Sequence, residues 1–115
     1  RFTQIDYARA MAFVAIDPVS GAMLGVARLH RLTFGDTAEF AVLVRSDLKG
    51  RGLGWLLMQT LIEYATSEEI KELRGEVLSE NSTMLRMCAE LGFDVSDSST
   101  EPGVRVVKLP IKSAA

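Results

Sequence analysis

Lys49-Gly50-Arg51-Gly52-Leu53-Gly54 divides the chain into two kinds of pattern. Just before it, Glu39 to Val44 (EFAVLV) is rich in Val and Phe and reads as a strand. Just after it, Leu53, Leu57, Leu61 and Tyr64 recur at helical spacing, with Leu56 and Ala65 widening the stripe, which predicts a helix over Leu53 to Ala65. A strand that passes through three glycines directly into an amphipathic helix confines the chain to folds that pack helices on a sheet.

The rest of the chain fills in that frame. Met11 to Ile16 (MAFVAI) is an apolar run stopped by Asp17-Pro18-Val19-Ser20-Gly21, which reads as a hairpin loop. Ala22 to Leu32 is the returning strand, and Gly35-Asp36 makes the turn into the third, so the first half predicts an antiparallel meander. After the helix, Leu73 to Leu78 is a strand. Asn81 opens a second helix with Met84, Cys88 and Leu91 on one face, and Gly92 ends it. Phe93 returns to the core, Ser96 to Gly103 is a polar loop, and Val104 to Leu109 is a last strand ending at Pro110. The expected order is β-β-β-α-β-α-β, an α+β (mixed α/β) fold with a mainly antiparallel sheet and helices packed on it.

Composition narrows the function. With 115 residues and 48% hydrophobic content, residues 1–115 form a single domain with enough apolar material for one core. Thirteen Lys plus Arg against fifteen Asp plus Glu leave a net charge of -2, so no basic excess exists to neutralise a phosphate backbone and nucleic acid is not an expected partner. One cysteine, Cys88, allows no internal disulfide and suits a reducing, cytoplasmic setting. No apolar run approaches the roughly 20 residues of a bilayer span, and no signal peptide is visible, so no membrane partner is expected. His30 is the only histidine and has no cysteine or carboxylate at ligand spacing, so no metal site is expected and it reads as a strand surface residue. The first residue, Arg1, suggests a piece of a longer polypeptide.

The glycine loop is the strongest chemical signal. Glycines let the backbone approach a ligand closely, the first turn of a helix offers free N–H groups to an anion, and Arg51 adds a charged donor. The bland alternative is a tight loop whose glycines only serve the strand-to-helix geometry. Two familiar phosphate loops fail: a P-loop requires Gly-Lys-Ser/Thr, which is absent, and Gly50-x-Gly52-x-Gly54 has the wrong last spacing for a dinucleotide fingerprint.

A third pattern fits. Glu39 to Gly54, followed by Trp55-Leu-Leu-Met-Gln, resembles the acetyl-CoA signature of the GNAT superfamily of N-acetyltransferases, Gln/Arg-x-x-Gly-x-Gly/Ala at a helix start. Asn81-Ser-Thr-Met-Leu-Arg-Met-Cys-Ala-Glu-Leu-Gly-Phe93 resembles that superfamily's second block. More narrowly, Phe2-Thr-Gln-Ile-Asp-Tyr7, Met11-Ala-Phe-Val-Ala15 and Ala38-Glu-Phe-Ala-Val42 resemble bacterial protein lysine acetyltransferases that modify acyl-CoA synthetases. Family members begin with a further strand and helices that build part of the acceptor groove. This sequence starts at about their second strand, so the resemblance implies a GNAT-like fold lacking the N-terminal strand and helices.

The resemblance implies acetyl-CoA as co-substrate and a protein substrate, an acyl-CoA synthetase. A fused regulatory domain would lie outside these residues. The pyrophosphate would lie on the amides of Lys49, Gly50, Arg51, Gly52, Leu53 and Gly54. Lys49 departs from the family's Gln or Arg, keeping the charge but losing the planar fork. The pantetheine arm would pair like an extra strand with Val42 and Val44, and an N–H near Leu43 or Val44 would polarise the thioester carbonyl.

Glu39 is the candidate general base. It is the only acidic residue in an apolar strand, it alternates onto the side of Ala41 and Leu43, and partial burial there would raise its pKa toward neutrality. The competing reading is a strand-entry carboxylate facing water; Asp36, Asp47, Glu76 and Glu80 are weaker choices. Asn81 is either a plain helix cap or a cap that also bonds the pantetheine arm. Cys88 stands where many family members carry a tyrosine that protonates the leaving thiolate. It is either that acid or a small buried hydrophobe. Direct attack in a ternary complex on a protein lysine is the leading mechanism. The alternatives are acetylation of a small-molecule amine and a non-catalytic acyl-CoA-sensing module.

Overall fold

The computed structural model describes residues 2–6, 10–32, 36–45, 47 and 52–111. Among these residues seven strands and two helices follow in the order β1 (Phe2–Asp6), β2 (Ala10–Ile16), β3 (Met23–Arg31), β4 (Thr37–Val44), α1 (Leu53–Ser67), β5 (Glu72–Leu78), α2 (Ser82–Glu90), β6 (Asp94–Asp97) and β7 (Val104–Pro110). They form one mixed sheet with spatial order β1-β2-β3-β4-β5-β7-β6. Every neighbouring pair is antiparallel except β4 and β5, which run parallel because α1 carries the chain from the end of one back to the start of the other. No helix among the described residues is long and apolar enough to cross a membrane.

Side chains alternate across the strands and so divide the sheet into two faces. Met11 and Phe13 of β2, Ala27 and Leu29 of β3, Ala38 and Phe40 of β4, Leu73 and Val77 of β5 and Val107 of β7 point to one side. There they meet Leu57, Met58, Leu61 and Ala65 of α1 and Cys88 of α2 in one buried cluster. The expected α1 stripe holds with one change: Leu56 is 50% exposed, and Met58 takes the place in the core. Phe13 meets Tyr64 edge to face at 5.7 Å, which seats the far end of α1.

Helix α2 carries both of its expected punctuation marks. Asn81 Oδ1 accepts the N–H of Met84 at 3.2 Å, the ordinary work of an N-cap. Gly92 takes φ +98° just past the helix, and the Phe93 N–H closes back on the Cys88 carbonyl at 2.9 Å.

Two strands depart from the sequence expectation. β1 was not expected as a strand from its own pattern, and β6 occupies Asp94–Asp97, so Ser96 and Asp97 belong to a strand and the polar loop spans only 98–103. These are the two outer strands of the sheet, and the sequence of each includes at least one aspartate, Asp6 in β1 and Asp94 and Asp97 in β6, a residue of low strand propensity. Gly35, expected in the turn before the third strand, lies outside the described residues.

Candidate active site

The parallel ladder between β4 and β5 has three rungs, Thr37 with Glu72, Ala38 with Leu73, and Glu39 with Arg74. β4 then runs on to Val44 and β5 to Leu78, each still paired on its outer side, to β3 and β7, and no longer with each other. A gap therefore opens within the sheet beyond Glu39.

Two backbone bonds fix the phase of β4 along that gap. Arg45 N–H donates to the Leu24 carbonyl at 2.9 Å, and Leu32 N–H to the Thr37 carbonyl at 3.0 Å. The register between them places Leu43 opposite Val26, Ala41 opposite Arg28 and Glu39 opposite His30, so these odd-numbered residues turn their polar groups to β3. Phe40, Val42 and Val44 turn theirs to the gap. On β5, the bonds Ile111 N–H to Lys71 C=O at 2.7 Å and Ser79 N–H to Gly103 C=O at 2.9 Å commit odd-numbered residues to β7. Glu76 and Leu78 therefore face the gap from the other side. Of the alternatives for a backbone donor to a thioester carbonyl, Leu43 is corrected by this register: its N–H is directed to β3, and Val44 remains.

At the root of the gap, Phe40 fills the space between the parting strands on the helix side. Its ring lies 5.5 Å from that of Phe93, and a Cβ built on Gly75 would come within 2.7 Å of its Cζ. Gly75 is thus a glycine because an aromatic ring occupies the place of its side chain. An isolated glycine within a strand pattern signals such an approach, but the sequence reading did not use it.

Both helices start at the open end of the gap, since each follows one of the two parallel strands. Gly54 lies against Met87 of α2 and Val44 of β4, at 3.5 and 3.8 Å from its ideal Cβ, which joins the start of α1 to the end of β4. Gly52 caps α1 at φ +82°, a left-handed conformation that suits glycine. Among the described residues no side chain caps this end, and its first turn holds no acidic residue, so the first-turn N–H groups face no described partner that would compete with an anion. Leu53 packs partly against the core and belongs to this turn. Lys49, Gly50 and Arg51 lie outside the described residues.

Glu39 sits on the last rung before the strands part, on the face away from the helices. It shares that rung with His30 of β3 and Arg74 of β5, and it forms no ion pair with a described residue. It alternates with Ala41 and Leu43 as expected, Leu43 being 63% exposed. The partial burial expected of Glu39 is absent: its side chain is exposed, because nothing described covers this end of the face. A groove of about 620 Å³ runs beside it across β2, β3 and β4, with Ala12, Val14 and Val26 on its apolar part and Arg28, His30 and Glu39 as the titratable groups among its described lining residues. Sequence reasoning singled out neither Arg28 nor Arg74.

The other candidates divide cleanly. Cys88 is fully buried within the core cluster, and desolvation pushes its thiol up to about 11. Of its two readings, this burial favours the small buried hydrophobe. The amide oxygen of Asn81 accepts the Met84 N–H, a bond common to both readings of this residue. Among the described residues no group of His, Cys, Asp and Glu is placed to hold a metal ion.

A sheet that splits between parallel strands, with a glycine-started helix at the mouth, accords with a known family. The chain matches the acetyltransferase (GNAT) family over residues 2–93. It belongs to that family.

Members of the GNAT family use acetyl-CoA as co-substrate. Over 90 residues the chain is 32% identical to the acetyltransferase Pat of Mycolicibacterium smegmatis, covering 77% of this chain and 27% of that one. Over 70 residues it is 34% identical to the L-methionine sulfoximine/L-methionine sulfone acetyltransferase of Pseudomonas aeruginosa, covering 61% and 41%. The crystal structure of the GNAT domain of S. lividans PAT superposes with a TM-score of 0.79 at 25% identity, over 95% of this chain and 65% of that one. The chain spans about half or less of the length of the curated relatives it matches.

Proposed function

We propose that this GNAT chain transfers an acetyl group from acetyl-CoA to a protein lysine, by direct attack in a ternary complex, and that the protein is an acyl-CoA synthetase. The observation that carries the chemistry is the division of labour along β4. Beyond the last rung, Val42 and Val44 turn their backbone groups into the gap, and the side chain of Glu39 stands at its root on the face away from the helices. The similarity to Pat and to the S. lividans PAT domain supports the protein acceptor.

The gap suits acetyl-CoA in two respects. Its free N–H and C=O groups pair with an extended amide chain as another strand would, and the first turn of α1, with Lys49, Gly50 and Arg51 before it, suits a diphosphate. The group supplies an activated acyl thioester when bound. Glu39 takes the proton of the acceptor ammonium, which frees the nitrogen lone pair for attack. The Val44 N–H is the donor available to the carbonyl oxygen as negative charge develops there. The C–N bond forms as the C–S bond breaks. With Cys88 buried, the leaving sulfur takes its proton from solvent.

Calorimetric titration of the full-length protein with acetyl-CoA tests the cofactor half of this reading, using Gly52→Glu and Gly52→Ala side by side. A Cβ at Gly52 meets no described atom within 4 Å, and both variants carry the same backbone strain while only the first adds an anion. Binding lost in Gly52→Glu and largely kept in Gly52→Ala is the expected result; a folded wild type that binds no acetyl-CoA overturns it. The acceptor half fails if the full-length protein binds acetyl-CoA and labels no acyl-CoA synthetase. The similarity to the L-methionine sulfoximine/L-methionine sulfone enzyme favours, as a second reading, a small-molecule amine on the same chemistry. Screening amines for CoA release separates the two.

A further inference from the structure

Arg28 lies one diagonal step from Glu39 on the open face, and the mechanism above gives it no task. Its cross-strand neighbours are Ala12 of β2 and Ala41 of β4, so two methyl groups flank an exposed guanidinium. No described residue forms an ion pair or hydrogen bond with it. Together with Glu39 and His30 it supplies the titratable groups among the described residues that line the groove, and the other described lining residues are apolar. Diagonal neighbours in a sheet stand roughly 7–8 Å apart, within reach of a long side chain.

From this placement we infer that Arg28 is a specificity-determining residue which binds a carboxylate carried by the acceptor close to its reacting amine. The inference rests on the reading of Glu39 as the base and of this groove as the acceptor's side. Once an amine reaches Glu39, the part of the acceptor a few bonds away lies over Ala41 and against Arg28. Arginine presents a planar fork of donors that matches a carboxylate, and it stays charged at every working pH. Glu39 does not serve as that carboxylate while it takes up a proton. An acceptor with an anion beside its amine therefore satisfies Arg28, and one without it leaves the cation unpaired, which builds selection into the groove. The carboxylate has two sources, an acidic residue beside a protein lysine or the α-carboxylate of a free amino acid.

The test uses the full-length protein and two matched pairs: lysine peptides with Glu or Gln beside the lysine, and L-leucine against its amide. Binding is measured calorimetrically without acetyl-CoA, and turnover as CoA release with it, for wild type, Arg28→Gln and Arg28→Lys. The wild type is expected to prefer the acid member of one pair by about tenfold in affinity and in KM, a preference that Arg28→Gln erases and Arg28→Lys restores in part. The pair that shows it identifies the source. No acid preference in either pair overturns the inference. So does a preference that survives Arg28→Gln, or a loss of thermal stability with discrimination unchanged, which would place Arg28 under another part of the protein. Glu39→Gln reports separately: if turnover persists in that variant, the base assignment fails, while the acid preference in binding still decides the role of Arg28.

Discussion

On the helix-covered face of the sheet, Leu29 and Leu73 are 2% and 0% exposed, while on the other face of the same sheet Arg28, His30 and Glu39 stand in solvent. β4 shows how one segment serves both. Its even-numbered residues give their side chains to the core and their backbone groups first to β5 and then, from Val42 on, to the gap; its odd-numbered residues give their backbone to β3 and their side chains to the open face. A period of two thus separates the surface that suits the cofactor from the surface that suits the acceptor, with no more than one strand between them. The rigidity of the first face holds the second in place.

Glu39→Gln should break the open face alone. It removes the proton acceptor without altering a packed side chain, so turnover is expected to fall by roughly 10²- to 10⁴-fold while acetyl-CoA affinity and melting temperature stay close to wild type. Steady-state CoA release beside calorimetry reads both. A variant that turns over normally would leave the sensing-module reading in place, since a sensor has no need of that carboxylate.

Leu61→Ala should do the converse. Leu61 is wholly buried where α1 crosses the sheet, and truncation there leaves a cavity. Denaturant unfolding should show a loss of about 2–5 kcal/mol. Where the variant remains folded, acid discrimination in the groove should persist.

Gly75→Ala sharpens the boundary between the faces. The new methyl group would sit 2.7 Å from the Phe40 ring, which Phe93 hems in on its other side. Overpacking of that kind costs about 1–3 kcal/mol. Because Phe40 lies at the root of the gap, displacing its ring should also weaken acetyl-CoA binding. Adding Phe40→Leu to Gly75→Ala should recover part of both losses, and a strictly additive double variant would show that the two residues do not compete for space.

What the sequence disclosed follows the same division. The apolar runs of β2, β3 and β4, the stripe on α1, the Asn81 cap and the Gly92 stop were all legible, because burial and capping act over a few residues. β1 and β6 were not, since edge strands carry polar and acidic residues for reasons that concern their outer side. The glycine loop and Glu39 were readable as candidates from spacing and resemblance. The choice between Leu43 and Val44 as backbone donor was not, for it depends on which bonds β4 makes to β3. Arg28 escaped notice because it lies eleven residues from Glu39 in sequence and is brought beside it only by the hairpin register.

The smallest expected effect belongs to Cys88 and shows only in alkali. Its thiol is buried and neutral in the folded protein, with burial raising it from an ordinary 9.0 to about 11. Between those values the unfolded chain has lost the thiol proton and the folded chain still holds it, so the folded state binds more protons and stability falls as pH rises. The contribution is complete below pH 9.0, fades as pH climbs, and is gone above about 11. At pH 10 it amounts to about 1 kcal/mol relative to neutral pH. Denaturant midpoints measured across this range should decline more steeply in wild type than in Cys88→Ala, which has no proton to lose. Equal slopes would mean that the thiol is solvated in the folded state. A general-acid role for Cys88 would then be open again, and the helix-covered face would be less closed than the core around α2 indicates.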